Sequence, residues 1–568
     1  MGSRVQARLI VTVTLALLLV AMPRPAGAAG VTDRAESWDP PRVVPMAEGE
    51  TLPTPEELEA RGARVGEILV KVYDIFDLDD PRENNWVYRS ANALHYKTRS
   101  KTVVDQLTFR RDEKLRAQRL AESERQLRSR RYLYDAVVRI ARYDPQANVA
   151  DIEVSVRDVW TLNPGISYSN TGGQNRTSFE IEELNLFGRG VKLQLGYDDE
   201  VDRTSTSIDW FDPNLLGSRW QLALGYADLS DGETTYISVD RPFYSLDANW
   251  ALGGSGFDDQ RVETRYDLGE PVDAFQVDSR QLGLRYGWSK GLENGWARRW
   301  LAGFRHDEKS FALVPGETPP PELPGDRKFV YPWVGVEWIE DAYVKVQNRN
   351  QIGRTEDAYH GTQFSASLGY AGTGLGSSQS ALIMSAAASS GREYREGREW
   401  AAAAAANGRV ESGNLIDAVL TAEARHYWRL SRHQLFFASV TGTVTEQLDP
   451  DHQLLLGAEE GLRGYPLRYQ TGTASALMTL EQRIYTDWYP FRLFFVGGAV
   501  FFDTGRTWGP TLGGERPDGW LSDIGVGLRL GNSRSGLGSM VHVDFSYALD
   551  PVPGRDRFQI TVETQRGF

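Results

Sequence analysis

Val541-His542-Val543-Asp544-Phe545-Ser546-Tyr547-Ala548-Leu549 is the stretch whose reading decides the fold. Its residues alternate with a period of two. In an extended chain one face therefore carries Val541, Val543, Phe545, Tyr547 and Leu549, and the other His542, Asp544, Ser546 and Ala548. The flanking stretches repeat the pattern. Phe558, Ile560, Val562 and Thr564 alternate with Gln559, Thr561, Glu563 and Gln565, and Ile524, Val526, Leu528 and Leu530 with Gly525, Gly527, Arg529 and Gly531. A soluble sandwich alternates in the same way. Three features favour a membrane barrel instead: strand-like segments run from about Pro164 onward with Gly, Asp and Asn between them, Tyr and Trp recur near segment ends, and the sequence stops at the aromatic Phe568 directly after a strand.

Composition agrees. There are 56 Gly, 16 Trp, 24 Tyr and 22 Phe, and the mean hydropathy is −0.43. Transmembrane strands keep hydropathy low because lumen-facing residues alternate with lipid-facing ones. The expected fold is an all-β transmembrane antiparallel barrel of about sixteen strands or more, even in number, over residues 163–568. Strand-like segments include residues 191–197, 220–226, 364–370, 435–444 and 474–485.

Residues 1–28 read as a secretory signal peptide, with Arg4 and Arg8, an apolar run at 9–21 and a small-residue site at Ala26-Gly27-Ala28. The run is too short for a membrane-spanning helix. Its removal takes away three Arg and moves the formal charge from −14 to −17, which argues against a nucleic-acid partner. The absence of Cys excludes disulfide scaffolds, thiolate zinc sites and thiol nucleophiles.

Residues 29–64 form a Pro- and acid-rich stretch, read as a linker or weakly ordered arm with one short helix at 55–64. From residue 65 to 162 the pattern becomes α+β. Strands are expected at 68–76 and 103–109, helices at 86–94 and 112–130, the latter with Leu115, Leu120 and Leu127 as its apolar stripe. A hairpin of 132–143 and 149–156 follows, giving a small open sheet with a free edge.

At two places the residues resemble a known family. Leu462-Arg463-Gly464-Tyr465 lies in a long Gly-rich connection, and Phe501-Phe502-Asp503-Thr504-Gly505 lies on a strand. Together with the β-α-β-β unit, Asp158-Val159-Trp160-Thr161-Leu162, and the turn Glu183-Leu184-Asn185-Leu186-Phe187-Gly188-Arg189-Gly190, they are similar to the BamA/TamA family of outer-membrane assembly barrels. The resemblance implies that residues 65–162 are a periplasmic POTRA-type module. It also implies that the loop bearing Arg463, Gly464 and Tyr465 enters the lumen, where Arg463 meets Asp503 beside Gly505, with Glu481 as a third member. Phe558, Ile560, Val562 and Phe568 would form a C-terminal strand signal. Parity places Asp503 inward independently: Phe494, Val496, Val500 and Phe502 form the lipid face of that strand, and Ser475, Thr479, Glu481 and Arg483 the inward face of the one before. Known members carry several POTRA modules and this chain has room for one.

The resemblance implies a Gram-negative outer-membrane location with the N-terminal domain in the periplasm. Expected partners are unfolded outer-membrane or secreted protein clients, outer-membrane lipids, and a periplasmic or inner-membrane protein met through the POTRA-like domain. The mechanism expected is templating of an incoming strand at the seam between 164–169 and 558–565. The alternatives are a two-partner secretion transporter, or a porin or outer-membrane enzyme. No enzymatic activity, cofactor or metal is expected. Gly287-Trp288-Ser289-Lys290-Gly291 matches a nucleophile-elbow pattern but continues through a β-turn into a strand. The seven His lack metal spacing, and Ala401 to Ala406 fit either a helix or a small-residue strand.

Overall fold

The computed structural model describes residues 38–45, 51–171, 174–512, 519–536, 540–552 and 556–565, all within the compact unit Ala35–Phe568. Residues 1–28, read above as a signal peptide, and Phe568 lie outside the described residues. Twenty antiparallel strands close into one barrel, each beside its neighbour in the chain, and the first, Leu162–Thr171, lies against the last, Phe558–Gln565. Twenty is even and falls within the expectation of about sixteen strands or more, above its lower figure. Lys192–Asp199, Thr204–Asp212, Gln221–Leu229 and Gly232–Arg241 are strands of only 8, 9, 9 and 10 residues, so an allowance of roughly 25 residues per strand undercounts them.

The wall is uneven. The seam strands have 10 and 8 residues, whereas Trp250–Asp267, Glu270–Glu293 and Trp296–Leu313 on the far wall have 18, 24 and 18. At about 3.3 Å per residue the last strand is roughly 26 Å long and the longest roughly 80 Å. Side chains alternate as expected. Leu282, Leu284, Tyr286 and Trp288 point outward, and Trp250, Trp288 and Trp300 stand in one register row across three strands, all exposed. Such a row has the form of the interfacial aromatic girdle expected of a membrane barrel. Ala401 to Ala406 lie in the strand Arg398–Glu411, not a helix, because both of its edges are paired.

Before the barrel stands a small α+β domain: α1 (Pro55–Ala60), β1 (Arg64–Tyr73), α2 (Trp86–Leu94), α3 (Ser100–Val104), α4 (Ala117–Arg128), β2 (Leu133–Asp144) and β3 (Val149–Asp158). The sheet order is β1-β3-β2, with β1 parallel to β3. Leu58, Val103, Leu107, Leu115, Leu120 and Leu127 pack with Ile152, Val154 and Val156 in its core. Three expectations change here. Residues 103–109 are no strand, since Val103 and Leu107, four apart, share the core-facing side of α3 and the turn after it. Helix α4 begins at Ala117 because residues 112–115 bond to Ala63 and Val65. The linker boundary also moves. Thr54 and Glu57 form a capping box on α1, whose Leu58 is buried in the core, and residues 38–43 lie on the other face of the sheet, with Val43 N donating to Glu153 and Arg139 paired with Asp39.

The sheet has one edge open and one occupied. On β2, Val138 N donates to Glu124 of α4, while the carbonyls of Ala136 and Ile140 accept from Arg128 and Arg42. Along residues 68–73 of β1 no further strand pairs among the described residues.

The domain lies across one mouth of the barrel and touches strand-joining turns all round it. Thr102 and Arg99 N donate to the Gly188 carbonyl, Arg116 and Arg119 hold Asp247, and Gln126 donates to the Tyr244 carbonyl. Arg128 binds Asp357 through both carboxylate oxygens at 2.7 and 2.6 Å. Across the barrel, Arg534 reaches Glu83 and the Ile75 carbonyl.

Candidate functional site

The connection between Gln434–Glu446 and Ala474–Tyr485 folds inward at the mouth opposite the small domain, and includes a short hairpin of Leu454–Leu456 with Gln470–Gly472. Leu456, Leu462, Tyr465 and Tyr469 pack against Leu521 and Ala548 of the wall. A loop that buries its own apolar residues against the lumen wall holds its shape without solvent-side support.

Arg463 projects from this loop onto Phe494–Trp508. Its Nε and Nη2 donate to the two oxygens of Asp503 at 2.7 and 3.0 Å, and its guanidinium lies 3.3 Å from the Phe501 ring centroid. A planar fork on a carboxylate above an aromatic face is a contact that Lys cannot reproduce. Nη1 reaches Asp544 at 3.1 Å, and Glu481 stands further off at 3.6 Å. Glu481 is held more closely by Arg483 at 3.2 Å and Arg529 at 3.4 Å. The nearer partner, Asp544, was in plain view in the opening stretch as an inward residue, but nothing in the sequence fixes which of the last strands the loop crosses. Ser546 Oγ donates to the Arg463 carbonyl and Thr479 Oγ1 to Asp503.

Gly464 lies against Asp523: its N donates to that carboxylate at 3.1 Å, and a Cβ on it would come within 2.7 Å of the Asp523 Cβ. The Tyr465 hydroxyl donates to the Ser522 carbonyl and accepts from Ser522 N, adding to the bonds these groups make with Leu549 N and Asp550, and so clamps the loop to the start of Leu521–Asn532. On Gly505 a Cβ would lie 3.2 Å from Leu456. Of the residues expected to face lipid, Phe494 and Val500 are exposed and Phe502 is half-buried, whereas Val496 has the same parity but is buried beneath the turn 486–493, bonding to Trp488 and Thr486. Phe558, Ile560 and Val562 are outward and exposed.

The loop has further anchors on the other walls. Arg468 binds Asp202 through two bonds and stacks on Tyr266, and the Gln453 amide exchanges two bonds with the Tyr266 backbone. Asp451 is held by Arg327 and Lys309, Asp449 by Arg409, and His452 Nδ1 meets Asp417 at 2.8 Å. Burial would raise the Asp451 carboxyl, but Arg327 and Lys309 outweigh it and hold it at about 2. The hydrogen bond to Asp417 holds the His452 imidazole above its usual value. Asp417, Asp449 and His452 converge closely enough for a cation. Arg409 and Arg327 already neutralise the two carboxylates, so the cluster is an ion-pair network. The loop is thus a strut tied to the barrel all round its circumference.

Between strut and domain the lumen keeps two cavities. One, about 800 Å³, has Asp449 and His452 of the loop among its lining, and the other, about 850 Å³, has Arg125, Arg128 and Arg131 of the domain. Ser289 donates to the Arg298 carbonyl within the hairpin that joins Glu270–Glu293 to Trp296–Leu313, so the elbow-like motif is a strand end.

Neither a protein-family model nor a curated sequence matches the chain. Among solved structures it is similar to BamA from Haemophilus ducreyi lacking POTRA domains 1–3, with 11% identity over 88% of this chain and 84% of that one and a TM-score of 0.38. It is also similar to CdiB from Acinetobacter baumannii (12%, 88% and 73%, TM-score 0.44) and CdiB from Escherichia coli (12%, 88% and 76%, TM-score 0.45).

Proposed function

We propose that this chain is an outer-membrane POTRA-barrel of the BamA/TamA kind that assists the insertion or translocation of proteins. The observation that carries this reading is the strut centred on Arg463. A porin needs a clear lumen, whereas here one mouth is crossed by a loop anchored on every wall and the other by the small domain. Work then moves to the wall. A barrel can enter lipid only when each backbone N–H and C=O is paired, and an incoming strand can satisfy that demand at an opened edge. The seam strands are short, 10 and 8 residues, so few bonds have to part. The small domain faces the periplasm in this reading, and extended client or accessory segments add along 68–73 of β1, since the β2 edge is occupied by Glu124, Arg128 and Arg42.

A chain without Cys allows a clean test. A disulfide is placed between the first and last strands, and assembly of a denatured outer-membrane barrel protein into liposomes is measured. Oxidation is expected to abolish assembly and reduction to restore it. Assembly unchanged by the crosslink would rule out lateral opening.

Export through the lumen is the second reading, favoured by the two cavities of about 800 and 850 Å³. Depletion followed by comparison of outer-membrane and secreted proteomes separates the two, because export of one dedicated protein leaves the outer-membrane profile intact.

A further inference from the structure

Helix α2 has its polarity reversed. A surface helix of a soluble domain turns its apolar stripe to the core. Here the residues turned to the domain are polar or polar-tipped: Asn92 exchanges two hydrogen bonds with the Phe76 backbone, and Tyr88 stacks on Phe76 at 4.1 Å while its hydroxyl donates to the Phe491 carbonyl. Just past the helix, His95 bonds the buried Asp158. The face turned away carries Trp86, Val87 and Leu94, which are 73%, 49% and 73% exposed.

This face lies where the barrel meets its surroundings. Tyr88 touches the turn at Phe491, and Tyr96, two residues beyond α2, packs edge-on against Phe187 at 5.8 Å. Those turns join strands on either side of the seam, so α2 runs beneath it at the level of the turn tips. The tips continue the apolar surface. Phe187, Leu216 and Phe491 are 53%, 96% and 77% exposed, and each sits in the left-handed region at φ 54°, 55° and 53°, a conformation that ordinarily favours Gly or Asn. Arg89 and Arg99 flank the helix and are exposed, with Arg82 and Lys97, paired to Asp80 and Asp74, beside them.

We infer that α2, with the turn tips at Phe187, Leu216 and Phe491, is a lipid-contacting surface that seats the small domain on the membrane leaflet beneath the seam. Its occupant is the interfacial zone of a bilayer. Aromatic and aliphatic side chains enter the boundary between headgroups and acyl chains, and the flanking cations meet phosphates. Trp220, just after the turn tipped by Leu216, packs edge-on against Trp250 at 6.5 Å and so links these tips to the aromatic row of the barrel wall. The surface would keep the domain level with the mouth whether or not the seam opens.

The absence of Cys again supplies the test. An environment-sensitive fluorophore is attached to V87C, L94C or, as control, E56C on the exposed side of α1, in the full-length protein folded into phosphatidylglycerol-containing vesicles. Barrel folding is verified by heat-modifiable mobility. A lipid bearing a spin label high on its acyl chain is expected to quench the labels at 87 and 94 about twofold, and the label at 56 hardly, since interfacial helices sit about 5–10 Å into the boundary. Adding Trp86→Ser and Leu94→Ser to V87C is expected to bring its quenching to the control value. Labels at 87 and 94 no more quenched than at 56 overturn the inference. So does a label that lipid leaves unquenched but a denatured barrel protein shields, which would assign the face to clients. The readout is lipid contact alone, so it stands or falls separately from any assembly activity.

Discussion

Asp503 and Asp523 stand directly opposite each other on neighbouring barrel strands, and both are fully buried. Like charges at directly opposed positions repel, and burial increases the cost. The strut answers both carboxylates: Arg463 takes both oxygens of Asp503, and Gly464 gives its N–H to Asp523. Loop and wall are therefore mutually dependent, since the acidic pair needs the loop and the loop is positioned by the pair.

Removing the guanidinium should expose that dependence. Arg463→Ala leaves Asp503 and Asp544 without their shared cation, and breaking a buried pair from one side costs about 3–5 kcal/mol. The expected outcome is a barrel that still folds but melts earlier, with the loop open to protease. Arg463→Lys should recover part of the melting shift, because charge is restored without the two-pronged contact. Thermal melts by heat-modifiable mobility check both.

Gly464 is expected to be intolerant for a different reason. A Cβ there would lie 2.7 Å from the Asp523 Cβ and 3.2 Å from Ala548 N, both rigid parts of the wall. Gly464→Ala should cost about 1–3 kcal/mol by overpacking, read as faster trypsin cleavage at Arg463 and Arg468. Gly374→Ala, where nothing lies within 4 Å, is the matched control and should leave cleavage unchanged.

The barrel was legible because period-two alternation survives any register, and Asp503 could be placed inward from Phe502 and Val500 alone. Strand number was legible only as about sixteen or more: segments such as 191–197 and 220–226 alternate like strands, but the alternation does not say whether two of them are separate crossings or halves of one bent strand. In the small domain, Val103 and Leu107 read equally as strand or helix in so short a window, and only packing against β3 decides. The anchors at Asp202, Asp451 and His452 left no trace, since they are pairings across distant parts of the chain between common charged residues. The same holds for the docking of the domain on the turns.

The strut's anchors should respond differently to pH. The imidazole of His452 is held above its usual value by its bond to Asp417, with Asp451 and Lys309 also beside it. A group raised in this way stabilises fully below its unfolded value of about 6.5 and loses that contribution as pH rises through the folded value. Asp451, held at about 2, stays charged throughout. Spin-label mobility at residue 453 should therefore increase above neutrality and stay constant from there down to mild acid. His452→Gln should flatten the profile; an unchanged rise in that variant would assign the transition to another group.

The docking of the domain on the barrel can be separated from the domain's own stability at Arg128. This buried guanidinium serves Glu124 and Asp135 within the domain and Asp357 on the barrel turn. Arg128→Ala leaves Asp135 and Asp357 without a cation, with Glu124 keeping Lys345, and should destabilise the domain itself by about 3–5 kcal/mol. Asp357→Ala removes only the contact between the two, while Arg128 keeps its other partners. The expected result is a domain whose β2 and α4 amides remain protected from hydrogen exchange while turn 341–361 exchanges faster. In a double-mutant cycle the coupling between Arg128 and Asp357 should appear in docking, measured by an engineered disulfide's closure rate between the turn and α4, and vanish from the domain's own unfolding. Equal loss of protection in the turn and in β2 would mean that domain and barrel behave as one cooperative body, with no released state for the mouth to adopt.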